Sequence, residues 1–140
     1  MERRGVTRRH YGDTVTERTN ISSESEFESL VGYSRAVRIG PHVVVAGTTA
    51  PGENAAVQAR EALRRIEEAL TQAGASLADV VRTRMYVTDI AVWREVGAVH
   101  AEVFGDIRPA ATMVEVSALI SPELTVEIEV DAYAPQTPTR

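Results

Sequence analysis

Glu127 is the carboxylate whose setting in this sequence most favours chemistry. It stands between Val126 and Ile128 in a segment that alternates apolar and polar residues, as a β-strand does. An acid in the middle of such a strand costs free energy unless a cation neutralises it or a ligand uses it. Two interpretations remain open: Glu127 pairs with Arg82 or Arg84 of a neighbouring strand, or it acts as a general base toward a bound molecule.

His100 is the second residue with a patterned setting. It lies in a predicted helix on one stripe with Trp93, Gly97 and Phe104, at spacings of four, three and four residues. A histidine on such a stripe is either a partly buried, hydrogen-bonded structural residue or a catalytic base. The three histidines of the chain have no second ligand at metal-binding spacing, so the sequence predicts no metal site.

Composition narrows the chemistry further. All 15 basic residues are arginine and there is no cysteine, which excludes Schiff-base lysines, thiol nucleophiles and thiolate metal ligands. The glycine-rich phosphate motifs of nucleotide-binding proteins are absent from the sequence, and we expect no cofactor. The net charge of −5 gives no general attraction to nucleic acid, so a nucleic-acid partner is not expected despite four arginines among the first nine residues.

Length and composition indicate one globular domain. The chain has 140 residues, of which 44% are hydrophobic and 25% charged. No apolar run approaches the ~20 residues of a membrane helix, and none follows the N-terminus as in a secretory signal. We therefore expect a cytoplasmic protein without membrane association. The predicted organisation is an N-terminal arm at 1–30 with at most a short strand around 14–21, a domain at 31–135, and a tail at 136–140.

Hydrophobic periodicity within the domain predicts the element order β-β-α-β-α-β-β. Gly40 and Pro41 form the turn between the first two strands, Gly74 ends the first helix, and Asp89 caps the second. This order is typical of an α+β fold in which two helices pack on one face of a mixed sheet. The predicted strands are 36–39, 42–48, 80–87, 111–117 and 124–133, and the predicted helices are 54–73 and 89–104.

The sheet face away from the helices is expected to be charged and partly covered by another chain. Residues 43–46 are four consecutive apolar residues, and such a strand is normally covered on both faces. Two helices protect only one face, so we expect an oligomer that buries much of the other. The residues predicted on this second face are Arg82, Arg84, Tyr86, Met113, Glu115, Glu127 and Glu129.

Several segments between residues 32 and 135 resemble the Rid/YjgF family of reactive-intermediate deaminases, also labelled L-PSP endoribonucleases. Their number, order and spacing carry the resemblance, which covers about three quarters of the chain. The segments are Gly-Tyr-Ser-Arg-Ala-Val at 32–37, Val-Val-Ala-Gly at 44–47, Ala-Gly-Ala-Ser-Leu-Ala-Asp-Val-Val at 73–81, Val-Thr-Asp at 87–89, Phe-Gly at 104–105, Pro-Ala at 109–110, Val-Glu-Val at 114–116 and Val-Glu-Ile-Glu at 126–129.

The resemblance implies a chorismate-mutase-like fold, a homotrimer, and ligand clefts between subunits. In the active branch of the family, a glutamate of the last strand positions the water that hydrolyses an imine or enamine to a ketone and ammonia. Glu127 matches that catalytic residue. Tyr33 and Gly47 match the family's early tyrosine and strand glycine, which complete the substrate pocket.

The match fails at the arginine that holds the substrate carboxylate. Its position is Ala111, followed by Thr112, so the chain resembles the branch without the signature arginine. An asparagine common in the second helix is replaced by Gly97, and Arg108 is a candidate substitute for the missing guanidinium. Three functions follow: a deaminase or hydrolase with altered substrate, lacking the usual 2-imino acid activity; a non-catalytic trimer that binds a small metabolite; and, least supported, an endoribonuclease.

Overall fold

Seven strands form one mixed sheet in the computed structural model, which describes residues 3–11 and 14–135. The strand order is β1-β2-β3-β4-β7-β5-β6, in which β5 and β6 are parallel and the other neighbouring pairs are antiparallel. The strands are β1 Arg3–Tyr11, β2 Thr14–Ser22, β3 Ala36–Ile39, β4 His42–Thr48, β5 Val80–Val87, β6 Ala110–Glu115 and β7 Val126–Tyr133, and the helices are α1 Glu26–Val31, α2 Ala55–Gln72 and α3 Trp93–Phe104.

The predicted order β-β-α-β-α-β-β is confirmed by β3 through β7 with α2 and α3. The Asn54 side chain caps α2 by accepting a hydrogen bond from the Val57 amide at 2.9 Å. Gly74 has a φ of +78°, which lets the chain leave this helix at little steric cost. Asp89 accepts from the Ala91 amide at 2.9 Å, and a short 3₁₀ turn there leads into α3.

The core lies between the sheet and the helices α2 and α3. Alternate residues of β7 are buried on this side, which is the pattern that the sequence predicts. The regular apolar stripe of α2 packs against them, and α3 contributes Val96, Val99 and Phe104. In the described ranges 3–11 and 14–135, no helix is both long and apolar enough to cross a membrane.

The N-terminal segment differs from the prediction of at most a short strand. β1 and β2 are nine-residue strands that form a hairpin, and β2 pairs with β3 to extend the sheet. The sequence signal is weak because the hairpin residues are mostly polar. Among the hairpin side chains whose burial the structure describes, only Ile21 is fully buried, so backbone pairing defines the strands. The proposed boundary between residues 30 and 31 stays a prediction, and the tail at 136–140 lies outside the described residues.

The faces of β6 are the reverse of those predicted. Met113 pairs with Met85 and Glu115 with Val87, so both lie on the helix side, whereas Thr112 and Val114 lie on the opposite face. The strand begins at Ala110, one residue before the predicted start. Because side chains alternate with a period of two, the face of each residue depends on the pairing register, which is set by β5.

The second face of β4 is open in the single chain. Val43 and Val45 are buried under the helices, but Val44 is 48% exposed on the other side. This leaves the apolar character of residues 43–46 only half explained by contacts within the chain.

Candidate functional site

A pocket of about 700 Å³ opens beside the ends of β3 and β4. The helix α1 and the middle of α2 form its rim, so the segments that the sequence predicts as an arm and as a core helix both contribute. Its polar lining includes Tyr33, Arg35, Gly47, Thr48, Arg64, Arg65, Glu68 and Glu127, and its apolar lining includes Ile21, Phe27, Val31, Ala69 and Ile120.

Gly47 lets the Glu127 carboxylate lie against the backbone. The register between β4 and β7 shifts between Val45 and Thr48, so the chain bulges at this glycine. A Cβ atom built on Gly47 would lie 2.6 Å from Glu127 Oε2, far inside van der Waals contact. Any larger residue would therefore displace the carboxylate from its position.

The Glu127 carboxyl is half-buried and carries a raised pKa. Burial is the main cause, the nearby negative charge of Glu129 adds to it, and the Arg35 guanidinium partly opposes both. A carboxyl group with a raised pKa is the form of acid that enzymes use for proton transfer near neutral pH. The position and electrostatics of Glu127 therefore suit a general base.

The alternative pairing of Glu127 with Arg82 or Arg84 is not found among the residues that the structure describes. Arg84 pairs instead with Asp131 at 3.3 Å. The residue directly across from Glu127 on β5 is Tyr86, whose hydroxyl donates to Glu129. Arg84 and Glu129 on this sheet face therefore have partners other than Glu127, and the Glu127 side chain lines the pocket.

Arg35 is a pocket residue that the sequence reasoning did not single out. Its Nη1 donates to the Gly47 carbonyl oxygen and to Thr48 Oγ1, both at 2.9 Å, and its Nη2 donates to the Tyr33 hydroxyl at 3.3 Å. The guanidinium carbon also lies 5.7 Å from the centre of the Tyr33 ring. One signal was available: Arg35 follows Tyr33 by two residues, the spacing that places side chains on one side of an extended chain.

The structure thus brings Tyr33, Gly47 and Glu127 together and places the other predicted site residues elsewhere. Ala111 pairs with Thr83, whose side chain points to the helix layer and lies 2.8 Å, Oγ1 to Nε2, from His100. His100 is half-buried, and burial lowers its pKa. This is the hydrogen-bonded histidine of the structural interpretation.

The remaining three candidates also lie outside the pocket. Thr112 is exposed on β6, on the sheet face opposite Ala111. Gly97 lies one turn before His100 in α3. Arg108 is exposed, has a φ of +53°, and its Nε donates to the Gly105 carbonyl oxygen at 3.1 Å, so no contact directs it to Glu127.

The pocket combines residue types that suit the binding of an anion and the removal of a proton. The Arg35 guanidinium donates a hydrogen bond to the Tyr33 hydroxyl, and its charge acts on the Glu127 carboxyl, whose pKa is raised. Within residues 3–11 and 14–135, no cluster of three or more acidic or histidine side chains could hold a metal ion. Residues of these types suit general base catalysis on a small molecule.

Comparison with known proteins places this site in a family. The crystal structure of a member of the highly conserved YjgF/YER057c/UK114 family from Mycobacterium tuberculosis is 73% identical, with a TM-score of 0.83 over 84% of this chain and 99% of that chain. The 3-aminoacrylate deaminase RutC of Acinetobacter baylyi is 34% identical over 71% of this chain and 84% of its own length. The 2-iminobutanoate/2-iminopropanoate deaminase of Salmonella typhimurium is 28% identical over 81% and 94%.

The matches extend beyond individual relatives to the family as a whole. A family model described as Endoribonuclease L-PSP matches residues 23–134, which include every pocket residue except Ile21. This range also includes α1, which the sequence reasoning placed in the arm. The fold is therefore the YjgF-like α+β fold, and the chain belongs to the Rid/YjgF family.

Proposed function

We propose that this protein hydrolyses a small imine or enamine to a carbonyl compound and ammonia, with Glu127 as the general base. The observation that carries the proposal is the Glu127 carboxyl, which lies against Gly47 in the pocket with a raised pKa and no paired arginine on β5. Two relatives named as deaminases act on an enamine and on imines, which supports the reaction class.

The proposed reaction balances with water alone. Glu127 takes a proton from a water molecule whose oxygen bonds to the imine carbon, and the C=N double bond becomes a C–N single bond. The protonated carboxyl then returns that proton to the nitrogen, which gives a carbinolamine. Glu127 next takes the proton of the carbinolamine hydroxyl and passes it to the nitrogen, so the carbon–oxygen double bond forms as the C–N bond breaks and ammonia leaves. An enamine reaches the same path after its carbon gains a proton and its nitrogen loses one, which converts it to the imine.

We also propose that a second chain completes the cleft, in a homotrimer. Support comes from the positions of the predicted site residues. Ala111 and Thr112 lie on the edge strand β6, outside the pocket that contains Glu127, so another chain would be needed to bring these positions to the same cleft. The exposed Val44 supplies apolar surface for such a contact. Light scattering should give close to three times 15.2 kDa, and a stable monomer at micromolar concentration would contradict the assembly.

The second candidate is a non-catalytic trimer that binds a small metabolite, and Ala111 favours it. The active branch has an arginine at this position, and a lost charge-assisted contact is worth ~2–4 kcal/mol, or about 10²–10³ in rate. This second candidate predicts little acceleration of 2-iminopropanoate hydrolysis by the wild type. Ala111→Arg should raise that rate in part, and only while Glu127 is present.

The test is release of ammonia from 3-aminoacrylate and 2-imino acids generated in solution. Wild type should accelerate at least one of them over buffer, Glu127→Gln should not, and Glu129→Gln, which alters a carboxyl on the same face, should keep most of the activity. If no imine or enamine is hydrolysed but a carbonyl product analogue still binds, the non-catalytic candidate is correct. If Glu127→Gln is fully active, the proposed role of Glu127 is wrong.

Cleavage of RNA is the least supported candidate, although the family model bears the name endoribonuclease. The net charge of −5 and the low aromatic content of 5% give little for a single strand to bind. We expect no cleavage of single-stranded RNA under conditions in which the imine assay is performed, and cleavage lost in Glu127→Gln would reverse this order.

A further inference from the structure

Three arginines line the pocket, and they differ in their charge partners. Arg64 and Arg65 both pair with Glu61, at 2.7 and 3.3 Å. Arg35 has no carboxylate oxygen within ion-pair distance among residues 3–11 and 14–135; its nearest acceptors are the neutral groups of Gly47, Thr48 and Tyr33. Among the described residues, Arg35 is therefore the pocket arginine without an ion pair, and the carboxyl group that its charge acts on is that of Glu127.

Two of the N–H donors of Arg35 have no acceptor among the described residues. A guanidinium has five N–H groups, and three of them have acceptors, two on Nη1 and one on Nη2. In the described part of the chain, the Nε–H and the second Nη2–H have none. The three bonds that exist fix the plane of the group, so the remaining donors are held in place for a ligand.

One part of the pocket wall, formed by α1 and the loop before β7, carries exposed apolar side chains. Phe27 and Val31 of α1 and Ile120 of the loop before β7 line the same pocket and are 46%, 72% and 73% exposed. A volume of about 700 Å³ is more than a three-carbon acid needs. An anionic group on the arginine side and a hydrocarbon group on the α1 side would match this division.

We propose that Arg35 binds the carboxylate of the substrate, which is a short monocarboxylate with an apolar substituent. This rests on the proposed function, since it assigns the substrate class of the same cleft. Both side chains lie next to Gly47: Arg35 donates to its carbonyl oxygen, and Glu127 Oε2 occupies the space that a Cβ atom on this residue would need. A carboxylate bound to Arg35 therefore places its adjacent carbon beside the general base. The guanidinium missing at Ala111 is replaced from within the chain that carries Glu127.

The experiment compares one ligand with and without its charge. Isothermal titration calorimetry of the full chain is performed with 4-methyl-2-oxopentanoate and with its neutral amide. Wild type should bind the carboxylate about 10-fold or more tightly than the amide. Arg35→Gln should remove this preference by weakening carboxylate binding about 10-fold, with a much smaller change in the affinity for the amide. Arg35→Lys should keep part of the preference. The control is Arg60→Gln, which changes an exposed arginine outside the pocket and should keep all of it.

The outcomes separate the two proposals. Binding of neither ligand by wild type overturns the cleft assignment together with the proposed function. Equal binding of both, or a carboxylate preference that survives Arg35→Gln, overturns the role of Arg35 and leaves the proposed function intact. If Arg35→Gln does not fold, the Arg35 Nε–H resonance of wild type decides: it should shift with the carboxylate and not with the amide, and no shift overturns the proposal.

Discussion

The two ends of the β3–β4 hairpin use an arginine in opposite ways. At the turn end, Arg38 is buried, and its Nε, Nη1 and Nη2 donate to the carbonyl oxygens of Gly40, Ala73 and Ala134 at 2.9, 2.8 and 2.6 Å. At the pocket end, Arg35 is only partly buried and donates through its two terminal nitrogens.

The two arginines differ in which of their N–H groups are used, and this distinguishes a structural guanidinium from one that we propose to bind a ligand. Arg38 joins three distant parts of the chain, the hairpin turn, the end of α2 and the end of β7, so every nitrogen is occupied by backbone. Arg35 lines the pocket and donates to the nearby Tyr33, Gly47 and Thr48, and its Nε–H has no acceptor among the described residues. Burial and donor use, more than residue type, assign the two roles.

Glu127→Gln at the pocket end is expected to have the largest effect, and on activity alone. Loss of a general base costs about 10²–10⁴ in rate. The neutral amide fits a site that already disfavours the charged form, so the midpoint of thermal unfolding should stay the same or rise. Steady-state ammonia release and a thermal melt measure both; a collapse of stability without a specific loss of activity would make the pocket end structural as well.

Arg38→Gln at the turn end should have the opposite effect, a loss of stability with activity retained. It removes bonds from a charged donor to buried carbonyl oxygens and should cost about 3 kcal/mol of unfolding free energy. Urea unfolding measures this loss, and activity per folded molecule should be retained. Arg35→Gln should cost clearly less stability than Arg38→Gln; equal losses would erase the distinction between the two ends.

Gly47→Ala tests the close approach at the pocket end. Its Cβ would lie 2.6 Å from Glu127 Oε2, so the carboxylate must move. We expect about a 10-fold fall in the rate of imine hydrolysis, from misplacement of the base. The control is Gly97→Ala in α3, where a Cβ meets nothing within 4 Å and a helix former replaces glycine, so activity should be unchanged.

The pH dependence of stability should also differ between the ends. A carboxyl with a raised folded pKa favours the folded state most at low pH, and that contribution is lost as the pH rises from 4.5 through the folded pKa of Glu127. Over this window, wild type should lose stability relative to Glu127→Gln. The same comparison with Arg38→Gln should show no such divergence, because its acceptors do not titrate.

Much of the fold, and the position of Glu127 in it, could be predicted from the sequence. The alternation of β7 is local, and it correctly placed Glu127 on the face away from the core. The periodicity of α2 is equally local, as is the glycine at 74 that follows it, whereas Asn54, predicted as the first helical residue, is the N-cap of the helix.

The misses concern features that depend on distant pairing. Arg35 becomes a pocket residue because the bulge at Gly47 frees a carbonyl oxygen, and that bulge exists only through the pairing of β4 with β7. The faces of Met113 and Glu115 depend on the register with β5. Likewise, among the described side chains of the N-terminal hairpin, Ile21 alone is a buried apolar residue, which is too little to indicate two strands.

The most direct test of the account follows the Glu127 carboxyl itself. Its carbon resonance is titrated by ¹³C NMR in wild type, and the rate of imine hydrolysis is measured over the same pH range. We expect the Glu127 carboxyl to titrate with a pKa above the ordinary 4.5, and the rate of hydrolysis to rise with pH through the pKa measured for Glu127. A Glu127 that titrates at or below 4.5, or a rate whose rise with pH does not follow its titration, would contradict the assignment of Glu127 as the base.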